Sequence, residues 1–339
     1  MFRRRGVARA LLRFATTTLA FAVIACLHLG CATAPTKRHS FFGHAMGARV
    51  EITIDESACD AGRERARRAA RRALVELERL DGMLSDWKSS SELTALNTSA
   101  DACRAASDEF RDVLARSLEI AAATDGLFDP TIGPSVRLWR ESRTAGTLPS
   151  ADTIDAARRR VDWRTVTVDG TRVCRANSAI ALDFGGIGKG YGAVRALAAV
   201  RDAGCPRALV AIAGDVAAGN APRDAEGWIV EIAPESASLR PETLVVRNAA
   251  VSTSGGAEQY VEIDGVRYAH IVDPRTGVGA TRLAQVTVVG PLDCAVDALG
   301  TALALTRDDS EAAAILARFP GYRARVERGG MAVWLGRPR

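Results

Sequence analysis

The segment IALDFGGIGKGYGAV, residues 180–194, places an acid and a lysine within a cluster of glycines. Its glycine spacing matches G-x-G-x-x-[GA], the turn that holds the pyrophosphate of a dinucleotide at a helix N-terminus. A second apolar run, RALVAIAGD, ends on Asp215, where a Rossmann fold would hold a ribose. Lys189 is one of three lysines in an arginine-rich chain, which favours a phosphate contact over a solvent-exposed lysine at a helix start. These residue types indicate a nucleotide site.

A second group of residues could bind a metal ion or move a proton. In VDALGTAL, residues 296–303, Asp297 and Thr301 lie four apart on a predicted helix, so both face one side. A carboxylate and a hydroxyl suit Mg²⁺, although the same spacing is common in helices that bind nothing. Of four histidines only His270 lies deep in the body, which argues against a His-rich zinc or copper site. His270 is a candidate general base, and a core histidine at a strand end is the alternative.

The elements that must position these residues follow from the hydrophobic pattern. Helices are predicted over residues 60–84, 107–123 (capped by Ser107), 151–160, 189–204, 293–305 and 308–318, with a loop over 129–150. Strands are predicted at ARVEITI and, from about residue 165, at TVTVD, AIALDF, RALVAIAG, WIVEIA, TLVVRNAAVSTS, YVEIDG, VRYAHIVDP and AQVTVVGP. The arginine run from Arg63 to Arg72 is interpreted as the solvated face of the first helix. Hairpin-like succession without regular β-α alternation predicts an α+β fold and argues against the Rossmann interpretation.

The N-terminal segment has the pattern of an export signal. Of 45 Lys and Arg residues, five precede residue 26 without any acid, and the other 40 match the 40 Asp and Glu. The neutral body excludes a nucleic-acid partner. An apolar stretch too short to span a bilayer follows, and Cys26 is the preferred acylation site, with Cys31 and an unmodified secretory signal as alternatives. We therefore expect a signal and linker start over 1–31, a polar linker over 32–40 and a domain over 41–339, lipid-anchored at the periplasmic side of the inner membrane.

The cysteines of the body are scattered. Cys59, Cys103, Cys174, Cys205 and Cys294 show no C-x-x-C spacing. An exported protein permits disulfides, but this spacing predicts no pairing, and a buried free thiol is the simplest expectation for each.

Several short motifs occur together in one order. They are MG at 46–47, SDWKSSSELTALN at 85–97, FDPTIGP at 128–134, DFGGIGKGY at 183–191, HIVDPRTG at 270–277 and DALGTA at 297–302. In this order they resemble the ApbE family of FAD:protein FMN transferases over about residues 46–305. The resemblance implies a mixed sheet with flanking helices and FAD in a cleft between lobes. It also implies Mg²⁺-dependent transfer of FMN from FAD to a threonine hydroxyl of an acceptor protein, with release of AMP.

The resemblance assigns roles to individual positions. It implies His270 as the base that takes the threonine proton, and a metal site formed by Asp297, Thr301 and the Gly186 carbonyl. The positions that match FAD contacts are Met46, Trp87, Leu127, Phe128, Asp129, Asp183, Lys189 and Ile271. Two loops depart from the family pattern: STSGGAEQY carries an apparent small insertion, and IAGD lacks a doubled glycine before the acid.

Three other functions remain open from the sequence. An FAD pyrophosphatase would use the same residues to release FMN and AMP without an acceptor. A flavin-carrying lipoprotein would bind FAD without turnover. An NAD(P) dehydrogenase is the least favoured, because it depends on the glycine spacing alone.

Overall fold

A computed structural model describes residues 37–58, 62–256 and 260–336 of the chain. The predicted signal and both candidate acylation sites, Cys26 and Cys31, lie outside these residues. Export and lipidation therefore stay predictions. Among the residues that the structure describes, no helix combines the length and the apolar character needed to cross a membrane.

The described part of the chain alternates helices with short strands. The helices are α1 (Gly62–Leu84), α2 (Glu92–Asn97), α3 (Asp108–Ala123), α4 (Gly133–Ala145), α5 (Ala151–Arg158), α6 (Gly188–Asp202), α7 (Ala295–Ala304) and α8 (Asp309–Leu316). The strands are β1 (Arg38–Ala45), β2 (Ala48–Asp55), β3 (Cys103–Ala105), β4 (Val166–Asp169), β5 (Arg172–Arg175), β6 (Ala208–Ile212), β7 (Asp215–Ala218), β8 (Trp228–Ile232), β9 (Glu242–Val246), β10 (Ala249–Ser254), β11 (Tyr260–Ile263), β12 (Val266–Ala269), β13 (Gln285–Gly290), β14 (Arg323–Arg328) and β15 (Met331–Leu335).

The largest sheet in these residues has eight strands in the order β1-β2-β6-β7-β10-β13-β14-β15. Every neighbouring pair within it is antiparallel. A Rossmann fold requires a parallel sheet with crossover helices, so the glycine spacing at 188–193 does not mark a Rossmann turn. The predicted α+β class, with a mixed arrangement of sheet and flanking helices, is confirmed.

Helix α1 packs on one end of this sheet through a stripe of small and apolar residues. The buried residues of the helix are Ala66, Ala69, Ala70, Ala73, Leu77, Leu80, Met83 and Leu84. Val50, Ile52 and Ile54 of β2 have no exposed surface and belong to the same cluster as the four alanines and Leu77 of the helix. The helix over 60–84 and the strand at ARVEITI were both predicted from the hydrophobic pattern, and both are confirmed.

Helix α7 lies in the centre of the other large cluster. Nine of its ten residues are buried, and they contact β10, β13 and α3. A helix that is apolar on all sides belongs in a core. Its one acid, Asp297, is therefore held by rigid surroundings.

The predicted loop over 129–150 is wrong, because α4 occupies 133–145. Pro134 lies in the first turn of the helix, where its missing N–H costs nothing, and Gly146 ends the helix in the left-handed region with φ of 69°. The proline and glycine that indicated a loop are the start and stop signals of a helix.

The strand predicted at AIALDF is also absent from the described structure, where residues 180–184 form only an isolated bridge between Ile132 and Ala181. The side chain of Asn97 takes the place of a neighbouring strand: Leu182 N donates to Asn97 Oδ1 at 2.8 Å, and Asn97 Nδ2 donates to the Leu182 carbonyl at 2.8 Å. This irregular backbone leads directly into the glycine turn before α6.

Two further expectations differ from the structure. Strand β1 begins at Arg38, inside the predicted linker 32–40, because Arg38, His39 and Ser40 pair with β2. Cys103 and Cys174 form a disulfide between directly opposed residues of β3 and β5. Cys205 is also disulfide-bonded, whereas Cys294 is a buried free thiol as expected. The pairing depends on strand register, which cysteine spacing does not show.

Candidate functional site

A cavity of about 1070 Å³ brings together most of the predicted site residues. This volume is at the upper end of ordinary ligand pockets, as a dinucleotide requires. The predicted residues that line it are Trp87, Leu127, Phe128, Asp129, Asp183, Gly186, Lys189, His270, Ile271, Asp297 and Thr301. They come from segments far apart in the chain, and the turn before α6 and the start of α7 supply the charged centre.

Lys189 lies between two buried carboxylates. Its Nζ is 3.3 Å from Asp215 Oδ2 and 3.7 Å from Asp297 Oδ2. The charge of Asp297, followed by that of Asp215, raises the pKa of Lys189, so it is a cation. Burial, together with the Asp297 carboxylate, raises the pKa of Asp215, and the ammonium opposes that shift. The cluster therefore places one positive charge between two acids on the wall of the cavity.

The first turn of α6 contacts α7 through a glycine. Gly190 N donates to Asp297 Oδ2 at 2.9 Å. A Cβ at Gly190 would lie 2.7 Å from Asp297 Cβ and 3.3 Å from the Cys294 carbonyl oxygen. Only glycine lets the two helices come this close, and the hydrogen bond from Gly190 N orients the Asp297 carboxylate.

Gly186 and Thr301 are also neighbours. A Cβ at Gly186 would lie 3.2 Å from Thr301 Oγ1 and 3.4 Å from Phe128. The glycine backbone, the Thr301 hydroxyl and the Asp297 carboxylate therefore line one part of the cavity. Among the described residues no cluster of three or more His, Cys, Asp or Glu side chains could hold a metal ion. A cation at this site would thus use mixed oxygen donors, which suit Mg²⁺.

Asp183 forms a charged cluster at another part of the wall. Its Oδ1 accepts from Gly185 N at 2.7 Å, and its Oδ2 is 3.6 Å from Arg140 Nη2. Burial, followed by the charge of Asp86, raises the pKa of Asp183. Arg140 also pairs with Asp86 and stacks on the Trp87 ring, 4.3 Å from its centroid. Trp87 is 75% exposed, so an aromatic plane backed by a guanidinium is open to a flat ligand.

The segment 127–129 contributes two apolar walls and one acid. Leu127 and Phe128 are buried beside the cavity. Asp129 Oδ1 accepts from Thr131 N at 2.8 Å and from Thr131 Oγ1 at 2.7 Å, and Oδ2 accepts from Trp163 N at 3.2 Å. These contacts show that the Asp129 carboxylate holds its own loop, while the residue also lines the cavity.

His270 and Ile271 follow β12 directly and are half-buried on the cavity wall. The Ile271 carbonyl accepts from Ala280 N at 2.9 Å, and the Ala269 carbonyl accepts from Trp139 Nε1 at 3.0 Å. These bonds on either side of His270 fix the backbone that carries its ring.

Met46 is the predicted site residue that does not line this cavity. It lies in the β1–β2 turn with φ of 54°, and a Cβ at Gly192 would come within 2.6 Å of its sulfur. Met46 therefore packs on the glycine face of α6, below the turn that carries Lys189.

Four charged residues that line the cavity were not among the predicted ones, namely Asp215, Arg140, Arg143 and Glu235. Asp215 was noted as the possible ribose ligand of a Rossmann fold and as the acid of the IAGD loop, and its place two residues after the tight turn at Ala213 was the available signal for a site residue. Arg140 lay in the segment predicted as loop, and no signal distinguished it from the many other arginines.

Together these observations define an α+β protein with a dinucleotide-sized cavity, in which a lysine, several acids and an oxygen-lined corner converge. The family model described as "ApbE family" matches residues 46–326. The chain belongs to the ApbE family. It is 30% identical to an FAD:protein FMN transferase of Klebsiella pneumoniae over 274 residues, which covers 77% of this chain and 76% of that protein. It is 31% identical to one of Treponema pallidum over 267 residues, covering 73% and 74%.

Solved structures agree with this membership. The apo flavinyl transferase ApbE of Pseudomonas stutzeri superimposes with a TM-score of 0.75 at 28% identity, covering 88% of this chain and 94% of that one. The ApbE protein of Thermotoga maritima gives a TM-score of 0.76 at 26% identity, with 86% and 94% covered.

Proposed function

We propose that this protein transfers FMN from FAD to a threonine hydroxyl of an acceptor protein, with Mg²⁺ as cofactor and AMP as the product released. The observation that carries the proposal is the cavity in which Lys189, Asp297, Thr301 and Gly186 meet. Membership of the ApbE family and the names of the relatives support the same reaction.

The charge balance of the cavity supports a metal cofactor. Five acids line it, against three basic side chains: the acids are Asp129, Asp183, Asp215, Glu235 and Asp297, and the bases are Arg140, Arg143 and Lys189. A pyrophosphate brings further negative charge, so these side chains alone would repel it. Asp297, Thr301 and the Gly186 carbonyl are the donors that would hold Mg²⁺. When bound, the ion would neutralise charge on the phosphate oxygens.

Other residues that line the cavity bind FAD and hold it in position. Lys189 contacts the pyrophosphate, and Asp297 and Asp215 keep its ammonium charged and in place. Asp183 binds FAD beside it, and Arg140 orients both Asp183 and the Trp87 ring. We assign the isoalloxazine to the side formed by Trp87, Leu127, Phe128 and Ile271, where aromatic and apolar surface is available.

His270 acts as the general base in this proposal. It takes the proton from the acceptor hydroxyl, whose oxygen then forms a bond to the phosphorus of the FMN moiety. The bond from that phosphorus to the bridging oxygen breaks, and AMP leaves with the bonding electrons. The protein would act on the exported side of the inner membrane, tethered by an acyl chain at Cys26.

The test uses the protein with FAD, Mg²⁺ and a candidate acceptor, and scores flavin fluorescence on the denatured acceptor. Asp297→Ala should abolish labelling while FAD binding is retained. Asp112→Ala, which removes an exposed acid on α3, is the matched control and should label normally. Unchanged labelling by Asp297→Ala would refute the site assignment. Release of FMN and AMP without acceptor would identify the pyrophosphatase instead.

A further inference from the structure

The first half of α1 carries a dense group of arginines on its solvent side. Residues 62–73 hold six arginines against one acid, Glu64. Five of the six are exposed, namely Arg63, Arg67, Arg68, Arg71 and Arg72. We call this set the arginine face. Among the described residues none of the five has a carboxylate partner, whereas Arg79, about two turns further on, pairs with Glu76 and Glu109.

The geometry of the helix sets these arginines on one side. The buried stripe of α1 faces the sheet and α6, and Arg67, Arg68, Arg71 and Arg72 project from the opposite side. Val75, 61% exposed, extends the same surface. The guanidinium groups therefore form a compact positive surface that is not needed for ion pairing within the described part of the protein.

The described chain starts beside this surface. The Lys37 carbonyl accepts from Glu56 N at 2.9 Å, and a Cβ at Gly62 would lie 3.0 Å from Glu56 Oε1. The residue that joins the 36 preceding residues to the domain thus lies at the first turn of α1.

We propose that the arginine face docks on an anionic lipid surface and orients the domain there. The proposal goes beyond FMN transfer and does not depend on it. Two observations select lipid as the partner: the surface holds five exposed arginines against one acid, Glu64, and the chain enters the domain at Lys37, beside the same helix, after the segment predicted to be the membrane anchor. Anionic lipid attracts exposed arginines near its surface, and salt screens this attraction.

The test compares the full chain reconstituted into phosphatidylcholine vesicles and into vesicles that also contain phosphatidylglycerol. An anchor would hold the protein to both, so the readout is the position of the helix. A donor fluorophore at Val75→Cys should transfer energy to a labelled headgroup more strongly in the anionic vesicles. The same donor at Met331→Cys, an exposed residue of β15, serves as the comparison site.

Replacing Arg67, Arg68, Arg71 and Arg72 with Gln keeps helix propensity and removes the charge. We expect the fraction of protein with α1 docked on the anionic membrane, as reported by energy transfer from Val75→Cys, to fall by about tenfold or more. High salt should have the same effect. The control variant replaces four exposed arginines elsewhere with Gln, namely Arg159, Arg240, Arg247 and Arg282, and should keep the anionic preference.

Three results would overturn the proposal. Energy transfer at Val75 that is equal in the two vesicle types would show that anionic lipid does not attract the helix. Unchanged energy transfer in the variant with Gln at the four arginine positions would show that these arginines do not bind the lipid. Equal loss in the control variant would show an effect of total charge rather than of this surface. Far-UV circular dichroism and urea unfolding of each variant report whether it is folded, and because neither readout needs FMN transfer, these outcomes are separate from failure of the proposed function.

Discussion

The contact between α6 and α7 provides a sharp test of how the site is held. In the variant Gly190→Ala the new methyl carbon would lie 2.7 Å from Asp297 Cβ, whereas ordinary contacts begin at 3.4 Å. The two helices must therefore separate by at least about 0.7 Å, and such overpacking costs about 1–3 kcal/mol of unfolding free energy. The hydrogen bond from Gly190 N to Asp297 is lengthened at the same time.

The catalytic effect should exceed what the loss of stability alone would produce. A displacement near 1 Å of a group that acts on the reacting phosphate lowers rates by about 100-fold. Gly188→Ala is the matched control, because its methyl group would meet only Met46 Cε at 3.7 Å in the same helical turn. The assay is the initial rate of acceptor labelling at saturating FAD, with urea unfolding of each variant. Wild-type rates for Gly190→Ala, or an equal loss in Gly188→Ala, would refute the reasoning.

Three other perturbations test separate parts of the structure. Arg140→Met removes the guanidinium that stacks on the rim tryptophan and pairs with a buried acid, so the KM for FAD should rise about tenfold while a folded protein is retained; an unchanged KM would contradict the assigned role. Burial opposes the ionised form of Asp293, but the Arg116 charge and hydrogen bonds outweigh it and lower the pKa of Asp293. That stabilisation is present above the pKa of the unfolded state, about 3.9, and is lost as pH falls through the lower pKa of the folded state. The free energy of unfolding, measured from neutral to acidic pH, should therefore fall less for Asp293→Asn than for the wild type. Replacing Cys103 and Cys174 with Ala should lower the free energy of unfolding by about 2–4 kcal/mol, because the bridge closes a loop with a sequence separation of 71 residues; a midpoint equal to wild type would contradict this.

Periodic patterns were reliable wherever burial is one-sided. The stripe of α1 and the alternation in β2 follow directly from residue spacing, because each buries one face against the same cluster. The Ser107 cap was also readable, since Phe110 N donates to its hydroxyl at 3.3 Å. Local rules were enough for these elements because the contacts that stabilise them are local or lie on one face.

Local rules failed where a distant group supplied the missing partner. AIALDF has the composition of a strand, yet Asn97, 85 residues earlier in the chain, satisfies its backbone. Pro134 and Gly146 read as loop residues, but they begin and end α4 because of their positions. Trp139 fixes the carbonyl beside His270 from that helix, a contact across 130 residues.

The sequence by itself determined the α+β class, the family and eleven of the residues that line the cavity. The motifs carry that information because the residue types and spacing within each motif can be recognised without knowing the tertiary structure. Only the tertiary structure decided that Asp215 pairs with Lys189, that Arg140 joins Trp87 to Asp183, and that Met46 packs beneath α6. Charge pairing and close packing depend on distances between segments remote in the chain, and antiparallel register and helix packing set those distances.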